Sequence, residues 1–147
     1  MNGWKANQTP DTPEYGVGIY TLSGTNSLGP VSARTAADFL IPHFETASFV
    51  ELSWGRGNLS FGEFMIWLSD ERALVRLDEH REHYATDSSI TYDIRQGSVT
   101  FQDVGQWGFG TEIYTQNFDQ TVTKAQALAA ALHWLETGEK SESLQWT

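Results

Sequence analysis

Apolar and polar positions alternate or cycle along most of this chain, and the period changes from one stretch to the next. Tyr15, Val17, Ile19 and Thr21 share one parity against Gly16, Gly18 and Tyr20, which predicts a first strand over Glu14–Leu22. Ser23 to Pro30 is rich in Gly, Ser and Asn and reads as a loop. Ser32 can cap a helix over Ala33–Phe44, with Ala36, Phe39, Leu40 and Phe44 as its apolar stripe. Pro42 falls inside that span. A proline there lacks an N–H and crowds the preceding turn at about 3 kcal/mol, so the helix is expected to stop near Leu40 and pass into an irregular turn.

The middle of the chain has the two-residue period of strands. Phe49–Trp54 runs into Gly55-Arg56-Gly57-Asn58, a strong turn signal. Glu63–Leu68 and Ala73–Asp78 flank the polar link Ser69-Asp70-Glu71-Arg72, the pattern of an antiparallel hairpin. Val75 and Leu77 alternate with Arg76 and Asp78, so one face of the second run is expected buried and the other wet. Further strands are expected over Ser89–Ile94, Ser98–Val104 and Thr111–Tyr114.

A helical period returns at the end. Thr123 opens a capping box with Gln126, Leu128, Ala131, Leu132 and Leu135 follow at helical spacing, and Gly138 stands where a left-handed cap belongs. Leu144 and Trp146 form an alternate pair that would dock the polar tail onto the domain. Leu128, Leu132, Leu135 and Trp146 are therefore expected in the core. Residues 1–13 are polar, contain Pro10 and Pro13, and read as a flexible lead-in to a single domain over 14–147. The architecture these elements predict is α+β, a mostly antiparallel sheet with an N-terminal and a C-terminal helix packed on it.

Composition narrows the chemistry. The 147 residues hold 19 acidic against 9 basic side chains, a formal charge of −10, which argues against direct binding of nucleic acid and mildly for a basic partner. Aromatics make up 13% of the chain, enough ring surface to offset the entropy of folding. Cys is absent, so disulfides, thiolate nucleophiles and Cys-based metal sites are excluded. No apolar run approaches the roughly 18 residues of a membrane span, and no secretory leader is visible, so the cytoplasm is the expected compartment.

Motifs for catalysis are missing: there is no Gly-x-Ser-x-Gly elbow, no phosphate-cradling loop and no dinucleotide fingerprint. His80 and His83 have the i,i+3 spacing of two ligands on a helix, yet in a strand that spacing points them to opposite faces, and Arg81 would repel a cation. A solvated, charged strand end is the simpler reading. His43 has no evident partner, and His133 reads as a helix-boundary residue. No catalytic group, metal or cofactor is assigned.

Two features do point to binding. Asp78, Glu79 and Glu82, with Asp87 close by, form an acidic run holding one arginine, Arg81. Trp107, Phe109 and Tyr114 lie in and just after a stretch spaced by Gly105, Gly108 and Gly110, where rings can serve as binding anchors. Charge with a few anchors suits docking against a basic, nucleic-acid-binding protein. Bland alternatives stand beside both: a charged hairpin edge that discourages aggregation, and a turn whose rings fold onto the core.

The last helix also carries a resemblance. Val122 to Leu128, Leu132-His133-Trp134-Leu135-Glu136-Thr137-Gly138 and the closing Leu144-Gln145-Trp146 are similar to the C-terminal end of the large immunity-protein family, first in the usual numbering, of bacterial polymorphic toxin systems. The hairpin Phe64–Leu68 and Ala73–Leu77 resembles theirs as well, so the likeness spans about Ser32 to Trp146. The family often places Arg-Pro where this chain has Lys140 and Ser141, which keeps the charge and loses the rigid turn. The resemblance implies a cytoplasmic antidote without catalysis of its own, which occludes the active site of a cognate toxin. Toxins paired with this family are often nucleic-acid deaminases, whose basic groove and zinc pocket an acidic protein could enter.

Two other classes compete with that reading. One is a small enzyme or ligand-binding domain with a cavity lined by Trp54, Trp67 and Trp107. The other is a chaperone or adaptor that recognises a secreted effector without inhibiting it.

Overall fold

The computed structural model describes residues 14–56, 59–90, 93–103 and 112–147. The lead-in over residues 1–13 lies outside them. Alternation does what it predicts in β1 (Glu14–Thr21), which buries Tyr15, Val17 and Ile19 on one face. The expected loop that follows is instead a strand, β2 (Gly24–Val31), antiparallel to β1 from Thr21↔Gly24 to Val17↔Leu28. Its side chains are nearly all exposed, so no hydrophobic period marks it. Pairing of its backbone with β1 makes it a strand, and an edge is where Pro30, which has no N–H, is tolerated.

Helix α1 (Ala33–His43) starts as expected, with the Ser32 hydroxyl accepting from the Thr35 N–H at 3.2 Å. It does not stop at Leu40. Pro42 sits in its last turn on the exposed side, so the carbonyl it leaves without a donor faces water. A 3₁₀ turn over Phe44–Thr46 then buries Phe44.

Strands β3 (Phe49–Arg56), β4 (Leu59–Leu68), β5 (Arg72–Glu79) and β6 (Arg81–Thr86) form a meander of antiparallel neighbours. Gly55 and Arg56, expected in a turn, extend β3, while Gly57 and Asn58 lie outside the described residues. Trp54 pairs with Gly62 but Gly55 with Ser60, so Phe61 is a bulge residue. The β4–β5 hairpin forms as predicted, with Leu68 paired to Ala73, and Arg72, expected in the link, already belongs to β5.

The strand expected over Ser89–Ile94 is corrected. The Asp87 carboxylate accepts from the Ser89 N–H at 2.9 Å and the Asp87 carbonyl from Ile90, an aspartate turn that competes with a strand ladder. Asp93 does the same for Arg95, opening a 3₁₀ turn over Ile94–Gln96. Strands β7 (Ser98–Asp103) and β8 (Glu112–Asn117) pair as a separate hairpin, the second one running on past the predicted end at Tyr114; Val104 and Thr111 lie outside the described residues.

After β9 (Val122–Thr123), helix α2 (Lys124–Thr137) has the complete capping box, and Gly138 closes it at φ 79°. Its buried stripe is Ala127, Ala130, Ala131, Trp134 and Leu135. Leu128 and Leu132, expected in the core, sit at the edge of that stripe, partly buried against it, and so does Trp146. Alanines face inward because α2 must approach both the sheet and α1 closely. The tail docks as predicted: Leu144 is buried and β10 (Gln145–Trp146) pairs with β6.

Among the described residues the main sheet runs β10-β6-β5-β4-β3-β1-β2, and β9 shares the outer side of β5 with β6. Residues on one face of this sheet, such as Val17, Leu52, Ile66 and Val75, join the buried stripes of both helices in one core. The fold is thus α+β with helices at 33–43 and 124–137. No helix among the described residues is long and apolar enough to cross a membrane.

Candidate functional site

The helices occupy one side of the sheet, and strand register fixes what stands on the other. Three rows of paired positions cross it. Gly16, Ser53, Glu63, Asp78 and Glu82 form one, and Gly18, Glu51, Met65, Arg76 and Tyr84 the next. The third holds Tyr20, Phe49, Trp67 and Leu74. Neighbouring strands lie about 4.8 Å apart, so the first two rows bring four carboxylates together around one guanidinium.

Arg76 holds half of that charge. Its Nε and Nη2 donate to the two oxygens of Asp78 at 2.8 and 2.9 Å, and Nη2 reaches Glu82 at 2.6 Å. These bonds raise its pKa above the ordinary arginine range. Glu51 and Glu63 lie diagonally across the β3–β4 ladder without such a cation: no ion pair reaches either one among the described residues. Burial, and then the charge of Glu63, push the Glu51 carboxyl above its ordinary value. Beside them the rings of Tyr20 and Phe49 lie 5.4 Å apart and those of Phe49 and Trp67 5.0 Å apart, forming with Met65 a second small apolar cluster. Arg72 stands on this face too, donating to Thr121 at 2.9 and 2.8 Å and stacking 4.2 Å over the Phe118 ring, which fastens the segment after β8.

The residues expected to make contact do not form one patch. Asp78 and Glu82 meet on the open face as described. Glu79 is one residue on from Asp78, so the pleat turns it to the helix side, where its carboxylate accepts from Trp134 Nε1 at 2.8 Å. Asp87 sits beside the start of α2 and accepts from Ser89 Oγ at 2.6 Å and Gln126 Nε2 at 2.8 Å. These bonds lower its pKa to about 2. Tyr114 pairs by its backbone with Phe101 in the β7–β8 hairpin. Trp107 and Phe109 lie outside the described residues.

Glu79 borders a cleft of about 280 Å³ with Leu77, His80, His83 and the segment Gly138 to Lys140. Both histidines line it, against the alternation argument, because His80 is the turn residue between β5 and β6 at φ 66° and resets the parity. His83 is buried, with Nδ1 donating to the Thr147 carbonyl at 2.8 Å. His43 also has partners, Nδ1 bonding to the Phe39 carbonyl at 2.8 Å and Nε2 accepting from Asn26 at 3.2 Å. No cluster of three His, Asp or Glu side chains suited to a metal ion occurs among the described residues. The cavity imagined around Trp54 and Trp67 is corrected: Trp54 joins the core on the helix side and Trp67 the cluster on the open side.

Glu51, Glu63 and Tyr20 are members of this face that local sequence patterns did not single out, while Arg76 was read only as a wet-face position and Trp67 only as a cavity wall. The usable signal was pairing: once the β4–β5 hairpin is in register, Glu63 must stand opposite Asp78. No family model matches the chain, and no curated protein matches it.

Proposed function

We propose that this chain is a binding protein that neutralises a basic, nucleic-acid-acting toxin domain by covering its substrate groove. The observation that carries the reading is the open sheet face, where Glu51, Glu63, Asp78 and Glu82 stand beside the rings of Tyr20, Phe49 and Trp67. Four carboxylates around Arg76, with Arg72 turned away to Thr121 and Phe118, leave a local excess of negative charge of the kind that meets a phosphate-binding groove. The adjacent rings of Tyr20 and Trp67, partly buried against the buried Phe49, add apolar area to such a contact. The likeness of the capped helix and Leu144-Gln145-Trp146 tail to an immunity family supports a deaminase-type toxin as the partner. In this reading the chain acts by shape and charge, supplies no bond-making group, and works in the cytoplasm.

The test is co-expression with the toxin domain encoded by an adjoining reading frame. Survival of the host, and a stable purified complex that no longer turns over nucleic acid, are the expected results. Glu63→Lys should abolish protection while leaving the far-ultraviolet spectrum close to the parent, the Arg76–Asp78 pair being kept. Full lethality in the presence of the chain would overturn the reading. So would improved secretion of the effector without survival, the behaviour of an adaptor.

A further inference from the structure

Strand β2 ends the sheet order with no described strand beyond it, so one row of its backbone N–H and C=O groups faces outward. From Gly24 to Leu28 its register with β1 is unbroken, and no residue of Gly24–Val31 carries a charge. Sheet edges are commonly blunted by lysines or bulges along their length. Here Pro30 and the irregularity opposite Tyr15–Val17 blunt one end only. The opposite edge of the sheet, β10, is two residues long. A neutral edge with unbroken register over Gly24–Leu28 on a chain of charge −10 is the anomaly.

A groove of about 330 Å³ leads inward from that edge on the open face. Its floor is bare backbone. A methyl at Gly16 would stand 2.9 Å from Ser53 Oγ, and one at Gly29 3.0 Å from Gly16 Cα. The Tyr20 ring, folded over Gly18, forms a wall, and Glu51 closes the inner end. We propose that β2 is a docking edge, and that it accepts an extended segment of the partner protein as an added strand, with an arginine of that segment lying along the groove to Glu51.

The distances select the side chain. An added strand would lie three spacings from β3, about 14 Å. An extended arginine of about 7 Å, the Glu51 side chain of about 4 Å and one charge-assisted hydrogen bond of about 2.8 Å close that gap. A lysine falls short by roughly one bond and lacks the planar group that stacks on a tyrosine ring. Main-chain bonds to β2 would supply affinity, and the groove would supply selectivity. A second copy of this chain is disfavoured as the occupant, because it brings another −10 and no excess of cations. The inference rests on the binding-protein reading for the partner's identity, yet its test needs no toxin.

The probe is a capped heptapeptide, Thr-Arg-Thr-Arg-Thr-Arg-Thr, titrated into the full ¹⁵N-labelled chain. Amide shifts should concentrate on Gly24–Leu28 and Tyr20. Affinity should fall at least about tenfold with lysine for arginine, with N-methylation of one alternate set of amides, the set that faces β2, but not of the other, with Glu51→Gln, and with the exposed pair Thr25→Lys and Ser27→Lys. Binding that survives N-methylation of both alternate sets alike would be charge attraction alone and would overturn the edge. Shifts elsewhere on the chain, no binding, or a concentration-dependent dimer that the lysine pair abolishes would overturn it equally. None of those outcomes bears on whether the chain neutralises a toxin.

Discussion

Asp87 links two elements through one carboxylate. It accepts from Ser89 in the turn after β6 and from Gln126, whose side-chain oxygen in turn accepts from the Thr123 N–H at 2.8 Å. The capping box of α2 is thus braced from outside the helix. The same bonds lower the Asp87 pKa from 3.8 to about 2, so as pH falls the unfolded chain takes up its proton first. The stability from this group is full above about pH 4 and is lost between there and about pH 2. Asp87→Ala is expected to flatten the acid limb of a stability–pH profile in that window, measured by urea melts at successive pH values. An acid limb identical to the parent's would refute the brace. Glu51 has the opposite sign. Its raised pKa means the folded state holds its proton more tightly, so its contribution declines as pH rises through that folded value. One fold therefore contains a carboxylate placed for stability and another that costs stability at neutral pH. The second is the kind of strain a binding surface retains.

At the scale of elements, the β3–β4 ladder shows how one small residue sets the packing of several large ones. Gly62 stands opposite Trp54, and a Cβ there would come within 2.7 Å of Trp54 Nε1 and 3.0 Å of Glu79 Cγ. Trp54 stacks on Tyr15 at 6.1 Å and meets Trp134 edge-on at 6.4 Å, while Glu79 holds the Trp134 indole N–H. Gly62→Ala is expected to cost about 1–3 kcal/mol, the range for overpacking a filled core, with loss of near-ultraviolet dichroism from the tryptophan cluster. Denaturant melts would check it; a neutral substitution would mean that the indole and carboxylate relax freely. Elements that announce themselves by local chemistry were legible in the sequence: the capped ends of α2, the alternating β4–β5 hairpin, and the docking of Leu144 and Trp146. The buried face of α2 was read slightly out of phase, because large leucines draw attention while alanines make the close contact. β2 was illegible, since an exposed edge strand needs only backbone, and so was the turn after β6, where an aspartate side chain outbids the ladder. The acidic face was half legible. Asp78 and Glu82 lie in one run, but Glu51 and Glu63 join them only through register between strands far apart in sequence.

For the molecule as a whole, the sheet separates two jobs: its helix side holds the aromatic core, and its other side holds charge. Charge acts at two ranges, and Glu63 and Glu82 separate them. Each contributes one negative charge to the long-range field, so replacing either by Gln should slow encounter with a basic toxin domain by a similar factor, an effect that vanishes in salt of about 0.5 M as screening shortens to a few ångströms. Their short-range situations differ. Glu82 is 56% exposed and already paired with Arg76, so its loss leaves that guanidinium still held by Asp78 at two points. Glu63 is half-buried, lies diagonal to Glu51 and has no ion pair among the described residues, so a cation arriving from the partner would meet no cation already paired there. Removing one partner of a pair desolvated on binding costs about 2–5 kcal/mol and shows in dissociation. Glu63→Gln should therefore speed dissociation by tenfold or more at every salt concentration, whereas Glu82→Gln should leave the off-rate nearly unchanged. Stopped-flow association and surface-plasmon dissociation, each followed from about 0.05 to 0.5 M salt, resolve the two effects. Equal off-rates for the two variants would mean that Glu63 is not at the contact, and the open face would lose its claim to be the surface that meets the partner.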